Sequence, residues 1–169
     1  MAHIGPNELC TQLSYNDART APFNQDVPGA VWDDLDVTLG SRRFKFVNVK
    51  ATSAALAVGD VVVWTNNYAN VVSTAQADSS RNCLAGVAQA VIGVSKYGWI
   101  QTDGYHAGVK CDASVFALGK QVIISNTDKT ATLENDGTAP TYPKIGTALA
   151  VASANLVPTH LHCGKLSPN

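Results

Sequence analysis

Leu56-Ala57-Val58-Gly59-Asp60-Val61-Val62-Val63-Trp64 recurs sixty residues later in degenerate form, as Phe116-Ala117-Leu118-Gly119-Lys120-Gln121-Val122-Ile123-Ile124. A second stretch behaves in the same way, because Cys83–Val91 reappears at Pro143–Val151 without a gap. Nine of the 49 paired positions between residues 56–104 and 116–164 hold the same residue. This offset predicts a body built from two similar sixty-residue halves.

The shared residues are concentrated where a common backbone would require them. Glycine is suited to turns and bends because it lacks a Cβ and adopts positive φ without strain. The repeated glycines therefore indicate a structural frame and not a catalytic pocket. The glycines predicted to form the turns of this frame are Gly59, Gly86, Gly104, Gly119, Gly146 and Gly164.

β-Strand patterns dominate the chain after residue 40. Val61–Trp64 is dense in β-branched residues, and apolar and polar residues approximately alternate over Phe44–Lys50. Leu84–Val94 is predicted to be a further strand, and Tyr97–Gly104 a strand with a terminal turn, followed by another strand at Val109–Val115. Short strands spaced by about 8–12 residues are typical of barrels and sandwiches. We therefore expect an all-β fold, a small β-barrel or sandwich.

The first forty residues differ from the rest of the chain. Their apolar periodicity is poor, and they contain three Pro–Gly or X–Pro breaks. We interpret residues 1–40 as an extended N-terminal arm and residues 41–169 as the β body. The arm contains Tyr15, Phe23 and Trp32, which we expect to dock on an apolar surface, either of a partner or of the chain's own β body, because large aromatic side chains favour burial.

Composition restricts the class of protein. Charged residues make up 15% of the chain and the net charge is −1, so no basic surface is expected to attract nucleic acid. Charged residues reach roughly 25% in typical domains, and the shortfall here indicates that part of the surface is covered in an assembly. No apolar run approaches the roughly 18 residues of a membrane span. The four cysteines have no C-x-x-C spacing, which argues against a zinc finger or a redox motif.

Motifs for catalysis and for metal binding are absent or incomplete in the sequence. No G-x-S-x-G, Walker or EF-hand pattern is present. His160 and His162 alternate along a predicted strand and so face the same side, but no carboxylate lies near them in the sequence. A thiol–imidazole pair of His106 with Cys83 or Cys111 is a weaker alternative, since both cysteines are more often small core residues. We therefore predict no catalytic, cofactor or metal site.

The order of three motifs resembles that of the tailed-bacteriophage head decoration (cement) proteins. The motifs are Ala57-Val58-Gly59-Asp60-Val61-Val62, then Leu84-Ala85-Gly86-Val87-Ala88, then Tyr97-Gly98-Trp99-Ile100-Gln101-Thr102-Asp103-Gly104. The resemblance covers residues 55–165 and involves scaffold positions, so it transfers no individual functional residue. It implies a virion structural protein that is not an enzyme and has no cofactor.

The same resemblance implies a location and partners. The protein would be made in the host cytoplasm and would bind the outer surface of the capsid, where it braces neighbouring major capsid protein subunits, often as a homotrimer. It would bind neither nucleic acid nor a membrane. Two alternatives remain: another virion β protein, such as a tail-tube or fibre-base domain, or a small-ligand or metal-binding barrel that uses His106, His160 and His162.

Overall fold

The computed structural model describes residues 28–36, 38–65, 70–75, 83–112, 117–134 and 143–163. Within these ranges the chain is all-β and contains no helix, which confirms the predicted fold class. No helix in this part of the chain is long and apolar enough to cross a membrane. The strands are β1 (Val31–Asp36), β2 (Gly40–Val49), β3 (Val61–Trp64), β4 (Val71–Ser73), β5 (Leu84–Ala88), β6 (Tyr97–Lys110), β7 (Gln121–Ile124), β8 (Ala131–Leu133), β9 (Lys144–Ala148) and β10 (Leu156–His162).

All ten strands belong to one sheet, in the order β1-β2-β4-β3-β5-β6-β10-β9-β7-β8. An additional antiparallel pairing joins β2 to β6, so β2, β4, β3, β5 and β6 form a closed ring of pairings. The remaining strands form the series β10-β9-β7-β8, which starts from the pairing of β10 with β6. Its last strand, β8, comes back to the end of β6, because Ala131 of β8 forms a parallel bridge with Cys111, the residue that follows β6. The long strand β6 therefore takes part in both series.

The strand register recurs at the sixty-residue spacing found in the sequence. Val62 faces Gly86 between β3 and β5, and Val122 faces Gly146 between β7 and β9. An irregularity follows Val62 in the first pair of strands and follows Val122 in the second. The correspondence also extends to a region that the sequence comparison did not reach. Phe46 on β2 faces Trp99, and His106 on β6 faces Thr159, so β2 matches the second half of β6.

β6 differs from its prediction. The sequence predicted a turn at Gly104 and a new strand at Val109–Val115, but Tyr97–Lys110 is one continuous strand. Gly104 has a φ of +85° inside this strand, and a Cβ at this position would lie 2.2 Å from the carbonyl oxygen of Ser41. The glycine therefore permits a close approach of β2 to β6 and does not end the strand.

The other predicted scaffold glycines fall into two groups. Gly59 and Gly119 lie in turns with φ of +83° and +80°. Gly86 and Gly146 lie inside β5 and β9, next to register irregularities, and not in turns between strands. A Cβ on Gly86 would lie 2.5 Å from the Gln101 carbonyl oxygen, and one on Gly146 would lie 2.0 Å from that of His160. These two glycines are required because neighbouring strands approach closely. Gly164 lies outside the described residues.

The segment predicted as an arm contributes a strand to the sheet. Val31–Asp36 pairs with β2 along its whole length, including Trp32 opposite Phe44, so the sheet begins before residue 40. Trp32 is half-buried, while Tyr15 and Phe23 lie outside the described residues. The predicted strand Leu84–Val94 is also shorter than expected, because β5 ends at Ala88.

Two clusters of buried side chains form the core. One is built on Val47, Val62, Val72 and Ile100, all from strands of the β2–β6 ring. The other combines residues of both series, among them Val61 and Val87 with Val122 and Ile145. Val61, Val62 and Val63 are all fully buried, so β3 is covered on both of its faces.

Candidate functional site

Two histidines and a carboxylate meet on the surface of the sheet. His160 and His162 alternate along β10, and the antiparallel register places Asp103 of β6 directly opposite His162. The Nδ1 atom of His160 lies 3.1 Å from Nε2 of His162, and the two ring centroids are 4.6 Å apart. The Nδ1 atom of His162 lies 3.9 Å from Oδ1 of Asp103. The carboxylate that is absent near these histidines in the sequence is therefore supplied by strand pairing.

This cluster is the end of a row of charged groups that crosses four strands. Asp33 of β1 faces Arg43 of β2, Arg43 faces Asp103 of β6, and Asp103 faces His162 of β10. Arg43 binds Asp33 through two hydrogen bonds, with Nε donating at 2.6 Å and Nη2 at 3.1 Å. This guanidinium holds the pKa of the Asp33 carboxyl below its usual value. Opposite charges in such cross-strand positions are mildly stabilising.

His106 does not belong to this cluster. It faces Thr159 on β10, whereas His160 faces Tyr105, so His106 lies on the other side of the sheet. Its side chain is buried, and its Nδ1 accepts a hydrogen bond of 3.1 Å from the Gly108 backbone N–H. Burial lowers the pKa of His106 to about 4, so the imidazole is neutral at pH 7. The alternative that joined His106 with His160 and His162 in one site is wrong.

Of the two cysteines considered for thiol chemistry, Cys83 is partly exposed and Cys111 is buried, as is Cys163. Cys111 and Cys163 are buried in the core. Burial raises the pKa of the Cys111 thiol and raises that of Cys163 to about 12. A thiol acts as a nucleophile in its deprotonated form. Neither residue is therefore suited to nucleophilic catalysis at neutral pH.

Exposed aliphatic side chains recur at the repeat spacing. Val58 and Leu118 lie at matching turn positions and are 52% and 71% exposed. Val91 and Val151 also match, and they are 58% and 61% exposed. In the first repeat, an antiparallel bridge between Leu56 and Ile92 brings together the stretches that carry Val58 and Val91. In the second, the Gly119 N–H donates a hydrogen bond of 2.8 Å to the Ala148 carbonyl oxygen, which joins the stretches that carry Leu118 and Val151. Scattered exposed aliphatic residues are ordinary in proteins, but exposure of the same two positions in both repeats forms a pattern that a partner surface can use.

The edge strand β1 presents two further exposed aliphatic residues, on the face that also carries Asp33. Val31 and Leu35 are exposed, and Leu35 is 79% exposed. The side chains that alternate with them point inward, since Asp34 is fully buried and is bound by Arg42. In the sheet order β1 has a neighbour on one side, β2. An edge strand of this kind can accept a strand from another chain.

Among the residues of these surfaces, the sequence pointed to His160 and His162 but not to the exposed aliphatic residues. His160 and His162 were identified from their alternation, while Asp103 was missed because it is 57 residues away from His160 along the chain. The pairing of β6 with β10 brings the three together.

Comparison with known protein families found no matching family model, and comparison with curated proteins found no matching sequence.

Proposed function

We propose that this protein is a bacteriophage capsid decoration (cement) protein, a structural virion protein without enzymatic activity or cofactor. It binds the outer surface of the head after synthesis in the host cytoplasm, and it stabilises the contacts between neighbouring major capsid protein subunits. Three sequence motifs support this family, and they lie in the turn before β3 and in the strands β3, β5 and β6. These strands are consecutive neighbours in the sheet, as expected if the motifs define one scaffold.

The body of the proposed protein is a tandem of two similar β-barrel halves that share β6. The closed ring of β2, β4, β3, β5 and β6 supports the first half. The return of β8 to Cys111 supports the second, as does the shared register of β3–β5 and β7–β9. Closing a sheet removes open strand edges and so suppresses non-specific association. Such a frame suits a protein whose role is to present surfaces.

The repeated exposed aliphatic residues are the observation that carries the proposal. Val58 with Val91, and Leu118 with Val151, give each half an apolar surface at the same place. A capsid offers neighbouring copies of one subunit, so a protein with two similar surfaces can contact two neighbours at once. Linked weak contacts act at high effective concentration and so bind more tightly together than singly.

The edge of the sheet supports a role for the N-terminal arm. The chain enters β1 at Val31, and β1 presents Val31 and Leu35 outward. In the proposed role, the arm contacts the capsid or a neighbouring copy of the chain, with Tyr15 and Phe23 as its aromatic anchors and Trp32 at its base. We propose a homotrimer, because a closed threefold arrangement multiplies the number of capsid contacts per particle.

The test is binding to heads that were assembled without this protein. We expect wild-type protein to bind undecorated heads at saturable copy number and to raise their resistance to heat or to loss of DNA. A variant with Val58→Asp, Val91→Asp, Leu118→Asp and Val151→Asp should lose binding, since each aspartate places a charge in the apolar contact. Val94→Asp is the matched control, because Val94 is also an exposed valine, at 41%, but has Ala154 at the repeat position.

The proposal is wrong if wild-type protein does not bind the heads, or if the fourfold variant binds as well as the control. Deletion of residues 1–27 tests the arm separately, because it leaves β1 and the rest of the sheet intact. Unchanged binding of that deletion would remove the arm from the interface. The mass of the purified assembly separates the alternatives, since trimers agree with a decoration protein and rings of six would favour a tail-tube component.

A further inference from the structure

The cluster of His160, His162 and Asp103 has the composition of a metal site. One candidate ligand atom from each residue can be chosen so that all three lie within 4.8 Å of one another. Each side chain is partly exposed, so an ion can enter from solvent. Imidazole nitrogen and carboxylate oxygen are common ligands of zinc and related divalent metals. This combination arises from the pairing of β6 with β10 and is not apparent in the sequence.

The distance between the two imidazoles fits a shared ion. Ligand nitrogens at about 2.1 Å from one zinc ion lie about 3.0–3.4 Å apart for angles between octahedral and tetrahedral values. The Nδ1 atom of His160 and Nε2 of His162 are 3.1 Å apart. Both nitrogens can therefore bind one ion with little rearrangement of the rings. Asp103 lies 3.9 Å from Nδ1 of His162, the other nitrogen of that ring, so its partly exposed side chain must move to reach an ion held by Nε2.

We propose that His160, His162 and Asp103 form a binding site for a single divalent transition-metal ion, with zinc as the expected occupant. The two histidines supply the nitrogen ligands and Asp103 supplies an oxygen ligand. Since His160 and His162 belong to β10 and Asp103 to β6, the ion links the last strand of the chain to the strand that takes part in both series. The site is structural, and it is independent of the decoration function proposed above.

The neighbouring charges are compatible with a bound cation. Arg43 lies opposite Asp103 on β2 and would oppose a second positive charge. Its guanidinium, however, is already bound by both oxygens of Asp33. The carboxylate of Asp33 therefore offsets the charge of Arg43, and Asp103 remains the nearest anion to the histidines in the cross-strand row.

The repeat predicts one ion per chain. The first repeat holds Ile100 and Thr102 where the second holds His160 and His162. It also holds Arg43, a cation, at the position that corresponds to Asp103. The first repeat therefore has no equivalent site. Its residues at these positions, isoleucine and threonine, can replace the two histidines as test substitutions, because a matching strand already accommodates them.

The experiment is calorimetric titration of zinc chloride into tag-free protein that has been treated with chelator and dialysed. We expect saturable binding of one zinc ion per chain, and a melting temperature that rises with zinc concentration, because ligands that bind the folded state stabilise it. The double variant His160→Ile/His162→Thr carries the residues of the first repeat and should lose both effects. Asp103→Asn should weaken binding by about 10- to 100-fold, as expected for loss of a charged group at a metal site.

Two control variants test other candidate ligands in the same chain. His106→Phe removes the buried histidine on the opposite face, and Cys10→Ser/Cys83→Ser removes two thiols outside the cluster; both variants should bind zinc as the wild type does. Far-UV circular dichroism checks that each variant is folded. The proposal is overturned if wild-type protein shows no saturable zinc binding, or if the folded His160→Ile/His162→Thr variant binds zinc with unchanged affinity.

Discussion

Asp60 and Lys110 form an ion pair that joins the turn before β3 to the end of β6. The Asp60 side chain is fully buried, and its Oδ2 accepts a hydrogen bond of 2.8 Å from the Ala57 backbone N–H. The same oxygen lies 3.4 Å from Nζ of Lys129, which also donates to the Ala55 carbonyl oxygen. Lys110 and Lys129 follow the first repeated segment in the chain, so this carboxylate ties the first segment to the second. Lys120 occupies the position in the second repeat that corresponds to Asp60, so the second repeat has no equivalent carboxylate at this turn.

We expect Asp60→Ala to lower the free energy of unfolding by about 3 kcal/mol, near the lower end of the range for breaking a buried ion pair, because both lysines can rehydrate. Urea unfolding monitored by tryptophan fluorescence measures this change. Asp33→Ala is the control, since the Asp33–Arg43 pair is exposed and should contribute little. Equal losses in the two variants would contradict the importance of the buried carboxylate.

Gly59 and Gly119 hold matching turn positions, yet their surroundings differ. Both have φ near +80°, which an alanine adopts only at a cost of about 1–2 kcal/mol. A Cβ on Gly59 would also lie 2.4 Å from the Gly108 carbonyl oxygen, whereas a Cβ on Gly119 has no atom within 4 Å. We expect Gly119→Ala to show the backbone cost alone and Gly59→Ala to be clearly more destabilised in thermal unfolding. A similar loss in both would mean that the Gly59 turn can move away from β6.

His106 makes stability depend on pH. Its folded-state pKa is about 4, below the usual value of 6.5, so the unfolded chain binds a proton more readily. Its contribution is therefore complete above pH 6.5 and decreases as the pH falls toward 4, by about 3 kcal/mol in total. His106→Phe, which introduces the residue found at Phe46 in the matching position, should lack this component. The measurement is the difference in unfolding free energy between pH 7 and pH 4.5; an identical difference in wild type and variant would contradict the assignment.

The two repeats differ in burial at the first residue of β3 and of β7. Val61 is fully buried in the cluster shared by both series, while its counterpart Gln121 is half-buried. We expect Val61→Gln to cost about 2–4 kcal/mol, because it places an amide in an apolar environment. The reciprocal Gln121→Val should change stability by less than about 1 kcal/mol. Chemical denaturation of both variants tests the asymmetry, and a tolerated Val61→Gln would show that β3 is not covered in solution.

Local patterns in the sequence predicted the β class and many of the strands. Val61–Trp64 coincides with β3, and the β-rich run Phe44–Lys50 lies in β2 except for its last residue. The predictions failed at Gly104 and at Val31–Asp36. In the sequence, a glycine that permits two strands to approach closely cannot be distinguished from a glycine in a turn. A short strand such as β1 is recognisable mainly through its partner, and here its pairing with β2 places Trp32 opposite Phe44.

The sequence by itself determined the β composition of the chain, the sixty-residue offset and the alternation that places His160 and His162 on one face. Each of these depends on residues close to one another or on a fixed spacing. The tertiary structure decided which residues meet across strands. It brought Asp103 to His162, separated His106 from them by the thickness of the sheet, and buried Asp60 between Lys110 and Lys129. Such contacts depend on strand order and register, which result from packing the whole chain and not from any one segment.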